Sequence, residues 1–250
     1  MYPLIDTHAH LDEIEDLEVA LENAKQHGVA AIIAVGSDLR SNERVLELAS
    51  RYQGYIFPAL GLHPWILAEG PAEVRATLRF IEENLDQAVG IGEVGLDYQK
   101  RLVSQIGKGF QKEVLAQVLG LARKSSKPAS IHSRYAWRDC LTVVRESGIK
   151  KAVFHWYTGP MNVLREILTE GYLASATPAL AYHEEHRRVI KEIPLNQLVL
   201  ETDSPVTYRG HQAEPSDVAR VLQLVAELKR LDLDRVAEMT TRNAQRIFGL

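Results

Sequence analysis

The chain has 250 residues, with 29 Lys plus Arg against 33 Asp plus Glu and a net charge of −4. Charged residues make up 25% and hydrophobic ones 46%, which excludes a disordered chain, a collagen-like repeat and a coiled-coil rod. The mild negative balance argues against a broadly basic nucleic-acid surface but leaves room for a local phosphate site.

Short apolar runs alternate with longer helix-period segments. The runs Pro3–Asp6, Ala30–Gly36, Tyr55–Gly61, Ala88–Gly92, Pro128–Ile131, Lys151–Phe154, Tyr172–Ala176 and Gln197–Glu201 are too short for helices and read as buried strands. Between them, Asp16–Gly28 places Leu17, Ala20, Leu21 and Ala24 on one helical face and ends on a capping glycine. Arg40–Tyr52, Ala72–Leu85, Phe110–Lys124, Trp137–Glu146, Met161–Glu170, Ser216–Arg230 and Asp234–Phe248 are further helix candidates, and His183–Lys191 is a charged one. Eight strands, each followed by helix-forming sequence at a repeat of roughly thirty residues, predict a single-domain TIM-type (β/α)8 barrel over 1–250. A doubly wound sheet is the competing architecture, but its first turn is usually glycine-rich, and this one is Asp6-Thr7-His8-Ala9-His10.

Ionisable residues stand at the carboxyl ends of five strands: His8 and His10, Glu93, His132, His155, and Asp203. A barrel pools those ends on one face. Two imidazoles two residues apart in extended chain point the same way. Together the six side chains exceed the needs of one tetrahedral ion and suit two divalent cations bridged by Glu93. Mixed imidazole and carboxylate ligands suit Zn or Mn better than Ca, with Mg also admissible. Asp6 and Glu201 share strand parity with His8 and Asp203, so they are candidates to orient the ligands. His63 follows the third strand and could touch substrate or pack under Trp65. Arg134 and Arg209 are candidate phosphate forks. Trp65, Trp137 and Trp156 could stack bases, with core or rim packing the favoured reading. His183-Glu184-Glu185-His186 has its histidines three apart, not four, and reads as a solvated helix end. Cys140, the single cysteine, excludes an intrachain disulfide, reads as a small buried hydrophobe and fits a reducing compartment.

These residues resemble the TatD family of metal-dependent deoxyribonucleases, among the amidohydrolase-like barrels. The carrying motifs are DTHAHLD at Asp6–Asp12, GLHP at Gly61–Pro64, GEVGLDY at Gly92–Tyr98, IHSR at Ile131–Arg134, FHWYTG at Phe154–Gly159, ETDSP at Glu201–Pro205 and NAQRIFGL at Asn243–Leu250. The resemblance implies one metal on His8, His10 and Asp203 and a second on His132 and His155, with Glu93 between. It implies hydrolysis of DNA phosphodiester bonds, including 3′-to-5′ exonuclease action, and admits deacylation of D-aminoacyl-tRNA as an alternative. A metallated barrel that only binds partners is the non-enzymatic alternative. The sequence departs from the family pattern at Trp156-Tyr157-Thr158, at Ala213 and at Tyr135, which leaves the ligands intact and bears on the substrate pocket.

The expected enzyme is therefore a two-metal hydrolase of DNA. Its metal would lower the pKa of a bound water, Asp203 would accept the proton, and Arg134 and Arg209 would hold the flanking phosphate. No secretory leader and no apolar stretch of roughly 18 residues is visible, so a cytoplasmic location without membrane attachment is expected. No obligatory protein partner is evident.

Overall fold

The computed structural model describes residues 2–250. Eight parallel strands form one sheet in sequence order: β1 (Leu4–Ala9), β2 (Val29–Val35), β3 (Ile56–Leu62), β4 (Gly90–Gly95), β5 (Ala129–His132), β6 (Ala152–Phe154), β7 (Leu173–Ala176) and β8 (Leu198–Leu200). The Asp203 amide donates to the His8 carbonyl at 2.9 Å and the His10 amide to the Ser204 carbonyl at 2.8 Å. These bonds bring the chain after β8 back to β1, so the sheet nearly closes as a (β/α)8 barrel.

Helices lie between the strands: α1 (Leu17–Gln26), α2 (Leu39–Arg51), α3 (Pro71–Asn84), α4 (Lys100–Ile106), α5 (Lys108–Lys124), α6 (Trp137–Ser147), α7 (Met161–Thr169) and α8 (Glu184–Glu192). A two-stranded ribbon, β9 (Thr207–Tyr208) with β10 (His211–Gln212), precedes α9 (Val218–Lys229) and α10 (Leu233–Phe248). Local chemistry sets several of these ends. The Asp38 carboxylate caps α2 by accepting the Ser41 amide at 2.7 Å, and Asp232 caps α10 through the Arg235 amide at 3.1 Å.

The strands alternate between two cores. Ile32 and Ala34 join the large layer that packs against the helices. Ala31, Ile33 and Val35 join Ile5, Ala59, Val153, Leu173 and Val199 in a second cluster, with Ala244, Ile247 and Phe248 of α10. Phe248 comes up to Gly90, the first residue of β4, so α10 covers the amino ends of the strands. The carboxyl ends are left for chemistry.

All eight expected strands and the nine expected helices are present, with shifted ends. β1 and β4 run on through His8 and Glu93, which therefore stand within strands, not after them. Two elements have no counterpart in the sequence reading. α4 buries only Leu102, too little for an apolar period. The ribbon turns on Arg209 (φ 50) and Gly210 (φ 88), a type I′ pattern flanked by only two residues on each side.

Candidate metal centre

Glu93 is the hub of the site. Its Oε2 lies 3.4 Å from His8 Nε2 and 3.3 Å from His10 Nε2. Its Oε1 lies 2.6 Å from His132 Nδ1, 2.8 Å from His155 Nε2 and 3.6 Å from His63 Nε2. Asp203 Oδ1 faces the first pair, 3.6 Å from the Nε2 atoms of both His8 and His10. The two oxygens of one carboxylate thus address two separate groups of imidazoles. All of these side chains but His10 are buried, and that ring is nearly so.

The supporting contacts come from neighbouring strands. His8 Nδ1 pairs with Ser130 Oγ at 2.9 Å, which aims Nε2 into the site. That Nε2 is buried and has no hydrogen-bond partner, an orphan of the kind an electrophile would satisfy. His155 Nδ1 meets Glu201 Oε1 at 3.3 Å, and the Trp156 amide donates to the same oxygen at 3.0 Å. Asp6 ties β1 to the end of β8, accepting the Thr202 amide at 3.0 Å and its hydroxyl at 2.6 Å. Burial raises the Asp6 carboxyl to about 8 against these hydrogen bonds.

The charges of the cluster are strongly interdependent. Burial pulls His10 down, yet hydrogen bonds to Asp203 and Glu93 carry it up to about 10. Burial also opposes the charged forms of His132 and His155, but both are raised, chiefly by the Glu93 charge. Glu93 is held well below its ordinary range against burial, chiefly by His155 and also by His132, and Asp203 is lowered by His10, His155 and His8. The buried carboxylates thus favour positive charge on the groups around them. His63 differs: burial lowers it to about 3, so it is a neutral ring.

Three groups have ligand atoms within 4.8 Å of one another: His8, His10 and Asp203; His8, His155 and Glu201; and His63, Glu93 and His132. Mixed imidazole and carboxylate donors of this kind, including one orphaned imidazole nitrogen, fit divalent metal.

A cavity of about 730 Å³ opens over the cluster, lined by His10, His63, Glu93, His132, His155 and Asp203 with Trp65, Arg134 and Tyr135. His8, Asp6 and Glu201 lie beneath it, fully buried. Arg209 stands apart from the lining, on the ribbon turn with its guanidinium 4.5 Å from the centre of the Tyr182 ring. Trp65 is half exposed, while Trp137 and Trp156 are partly buried. His186 is not solvated: it is fully buried, with the Thr177 amide donating to Nε2 at 3.2 Å and the Tyr157 carbonyl 3.2 Å from Nδ1.

Asp97 is the residue the sequence reading missed. It is fully buried two residues past β4 and its Oδ2 meets His132 Nε2 at 3.3 Å and Trp65 Nε1 at 2.8 Å. Its signal lay in the GEVGLDY motif, as one more acid beyond a strand's carboxyl end.

A barrel that pools buried histidines and carboxylates under a cavity at its carboxyl face has the site of a metal-dependent hydrolase. This chain belongs to the TatD-related DNase family, whose sequence model matches residues 5–249. It is 34% identical over 262 residues to human "Deoxyribonuclease TATDN3", covering 98% of this chain and 94% of that protein. It is also 34% identical over 258 residues to the "Uncharacterized metal-dependent hydrolase YabD" of Bacillus subtilis, covering 99% of both. Among solved structures, the TatD homologue YJJV of Escherichia coli superposes with a TM-score of 0.90 at 29% identity, covering 99% of this chain and 98% of that one. Among the described residues, no helix is long and apolar enough to cross a membrane.

Proposed function

We propose that residues 1–250 form one catalytic barrel domain that uses two divalent cations, Zn, Mn or Mg, to hydrolyse DNA from strand ends in the 3′-to-5′ direction. The observation that carries this reading is the division of Glu93, with Oε2 toward His8 and His10 and Oε1 toward His132 and His155. His8, His10 and Asp203 would hold one cation and His132 and His155 the other, bridged by Glu93. When bound, the pair supplies Lewis acidity for water activation and neutralises charge on the scissile phosphate. The human relative's name, a deoxyribonuclease, supports DNA as the substrate.

The chain's own residues divide the remaining work. Asp203 lines the cavity with Oδ1 3.6 Å from the Nε2 atoms of His8 and His10, where a carboxylate oxygen would accept the proton of the attacking water. Neutral His63 offers a hydrogen bond to substrate without adding charge. Arg134 lines the cavity and would hold the phosphate next to the scissile one. Arg209 stands on the ribbon outside that lining, so its role would be with a more distant part of the strand.

The test is a head-to-head assay of metal-reconstituted protein on a 5′-labelled single-stranded oligodeoxynucleotide and on D-aminoacyl-tRNA, with Glu93→Gln as control. The reading expects stepwise shortening of the DNA from its 3′ end, lost in the control. No shortening above the control contradicts it. Amino-acid release from the tRNA in its place would assign the site to acyl hydrolysis. Turnover on neither would leave a binding barrel.

A further inference from the structure

The rim of the cavity carries two large aromatic side chains that the core does not use. Trp65 is 50% exposed and Tyr135 is 63% exposed, and both line the cavity over the histidine cluster. Trp65 is nonetheless held firmly. Its indole Nε1 donates to the buried Asp97 carboxylate at 2.8 Å, and its amide donates to His63 Nδ1 at 3.2 Å. The His63 ring meets the indole edge to face, with centroids 4.8 Å apart. The Arg134 guanidinium lies over the indole, 5.6 Å from its centre.

The polar atom of Trp65 is therefore already paired, and what its exposed half offers the cavity is aromatic carbon, with Arg134 over one side of the ring. That surface is fixed to the same carboxylate that touches His132. Tyr135, on the rim of the same cavity with its ring 5.8 Å from that of Trp137, adopts a left-handed φ of 55. A rigid aromatic face next to an arginine, above a site that cleaves phosphodiesters, matches the chemistry of a nucleotide: a planar base joined to an anionic phosphate.

We infer that Trp65 is a base-stacking subsite, on which the base of the terminal nucleotide lies while Arg134 engages the adjoining phosphate. This inference rests on the reading of the site as acting on DNA ends. Stacking tolerates any base, so Trp65 selects for the presence of a base and not for its identity. Asp97 is a positioning residue here, since it holds the indole in place and touches His132 without entering the cavity lining.

The experiment compares two single-stranded oligodeoxynucleotides that differ only in their 3′-terminal unit, one bearing a base and one an abasic tetrahydrofuran. Wild type should show a KM for the abasic strand on the order of tenfold higher, with kcat changed much less. Trp65→Leu should bring the two KM values to within about twofold, and Trp65→Phe should restore part of the ratio, because phenylalanine supplies a smaller aromatic face without the bond to Asp97. A wild-type ratio near one overturns the inference, whether or not Trp65→Leu folds. So does a Trp65→Leu enzyme, folded by circular dichroism, that keeps the wild-type ratio. Cleavage of both strands without discrimination removes the subsite and leaves the DNase reading standing. Cleavage of neither removes both.

Discussion

Asp203 occupies the left-handed region at φ 54, with its carboxylate 3.6 Å from the Nε2 atoms of both His8 and His10. Trp156 and Tyr135 share that region at φ 37 and φ 55, so three non-glycine residues are strained in the loops that frame the cavity. Asn at position 203 keeps the size and one acceptor oxygen but loses the charge and the basicity. We predict that Asp203→Asn, assayed at saturating metal, loses about 10²–10⁴ in kcat with a smaller change in KM. A kcat within about threefold of wild type would remove Asp203 as the proton acceptor. The six ligand candidates were legible in the sequence because each lies at or near a strand's carboxyl end, where topology alone brings them together. Asp97, Ser130 and the exposed face of Trp65 were not, because their roles depend on which side chain the neighbouring element supplies. His186 misled for the same reason: its spacing from His183 is that of a helix surface, but Thr177 and the Tyr157 carbonyl cover it.

At the level of elements, the strand pattern was readable because the barrel strands are buried on both sides almost throughout, with Ala30 and Phe57 the exceptions, and so appear as apolar runs. Strand ends were less so, since His8 and Glu93 are polar residues inside strands whose sequence signal is apolar. Close packing of β4 against β5 is what sets the distance between Glu93 and His132. A Cβ on Gly95 would stand 1.9 Å from the His132 carbonyl oxygen and 2.8 Å from its Cα, so the backbone of β5 would have to move. Overpacking of this kind costs about 1–3 kcal/mol, and a protein of this size loses about 2–4 °C in Tm per kcal/mol. Gly95→Ala should therefore lower Tm by several degrees and weaken metal binding, whereas Gly109→Ala, whose Cβ meets nothing within 4 Å, should do neither. A Gly95→Ala protein unchanged in both thermal scan and metal titration contradicts this account of the strand pair. α8 supplies a second test, away from the cluster. Burial lowers His186 to about 4, against an ordinary 6.5. Between those values the unfolded chain binds the proton and the folded one does not, so this contribution is complete above pH 6.5 and is lost as pH falls toward 4. It amounts to roughly 3 kcal/mol. Urea unfolding of wild type and His186→Gln should show a stability gap that narrows between neutral pH and pH 4. A gap independent of pH would show that His186 is not held neutral by the fold.

For the whole molecule, the barrel divides its labour between two ends. The amino ends of the strands are sealed by Ala244, Ile247 and Phe248 of α10, and the carboxyl ends carry the charge. Nine buried or nearly buried titratable side chains meet there: His8, His10, His63, Glu93, Asp97, His132, His155, Glu201 and Asp203. Such a concentration is costly unless cations compensate the carboxylates and occupy the imidazole nitrogens. The helix-side core and the inner cluster are built from apolar residues outside the site. Replacing His132 or His155 by Ala should accordingly empty one cation position while preserving the fold. The measurement that bears most directly on the account is elemental analysis of the reconstituted protein, with folding followed by circular dichroism. The account predicts close to two equivalents of divalent metal in wild type and close to one in folded His132→Ala and His155→Ala. No more than trace metal in wild type after reconstitution would contradict it.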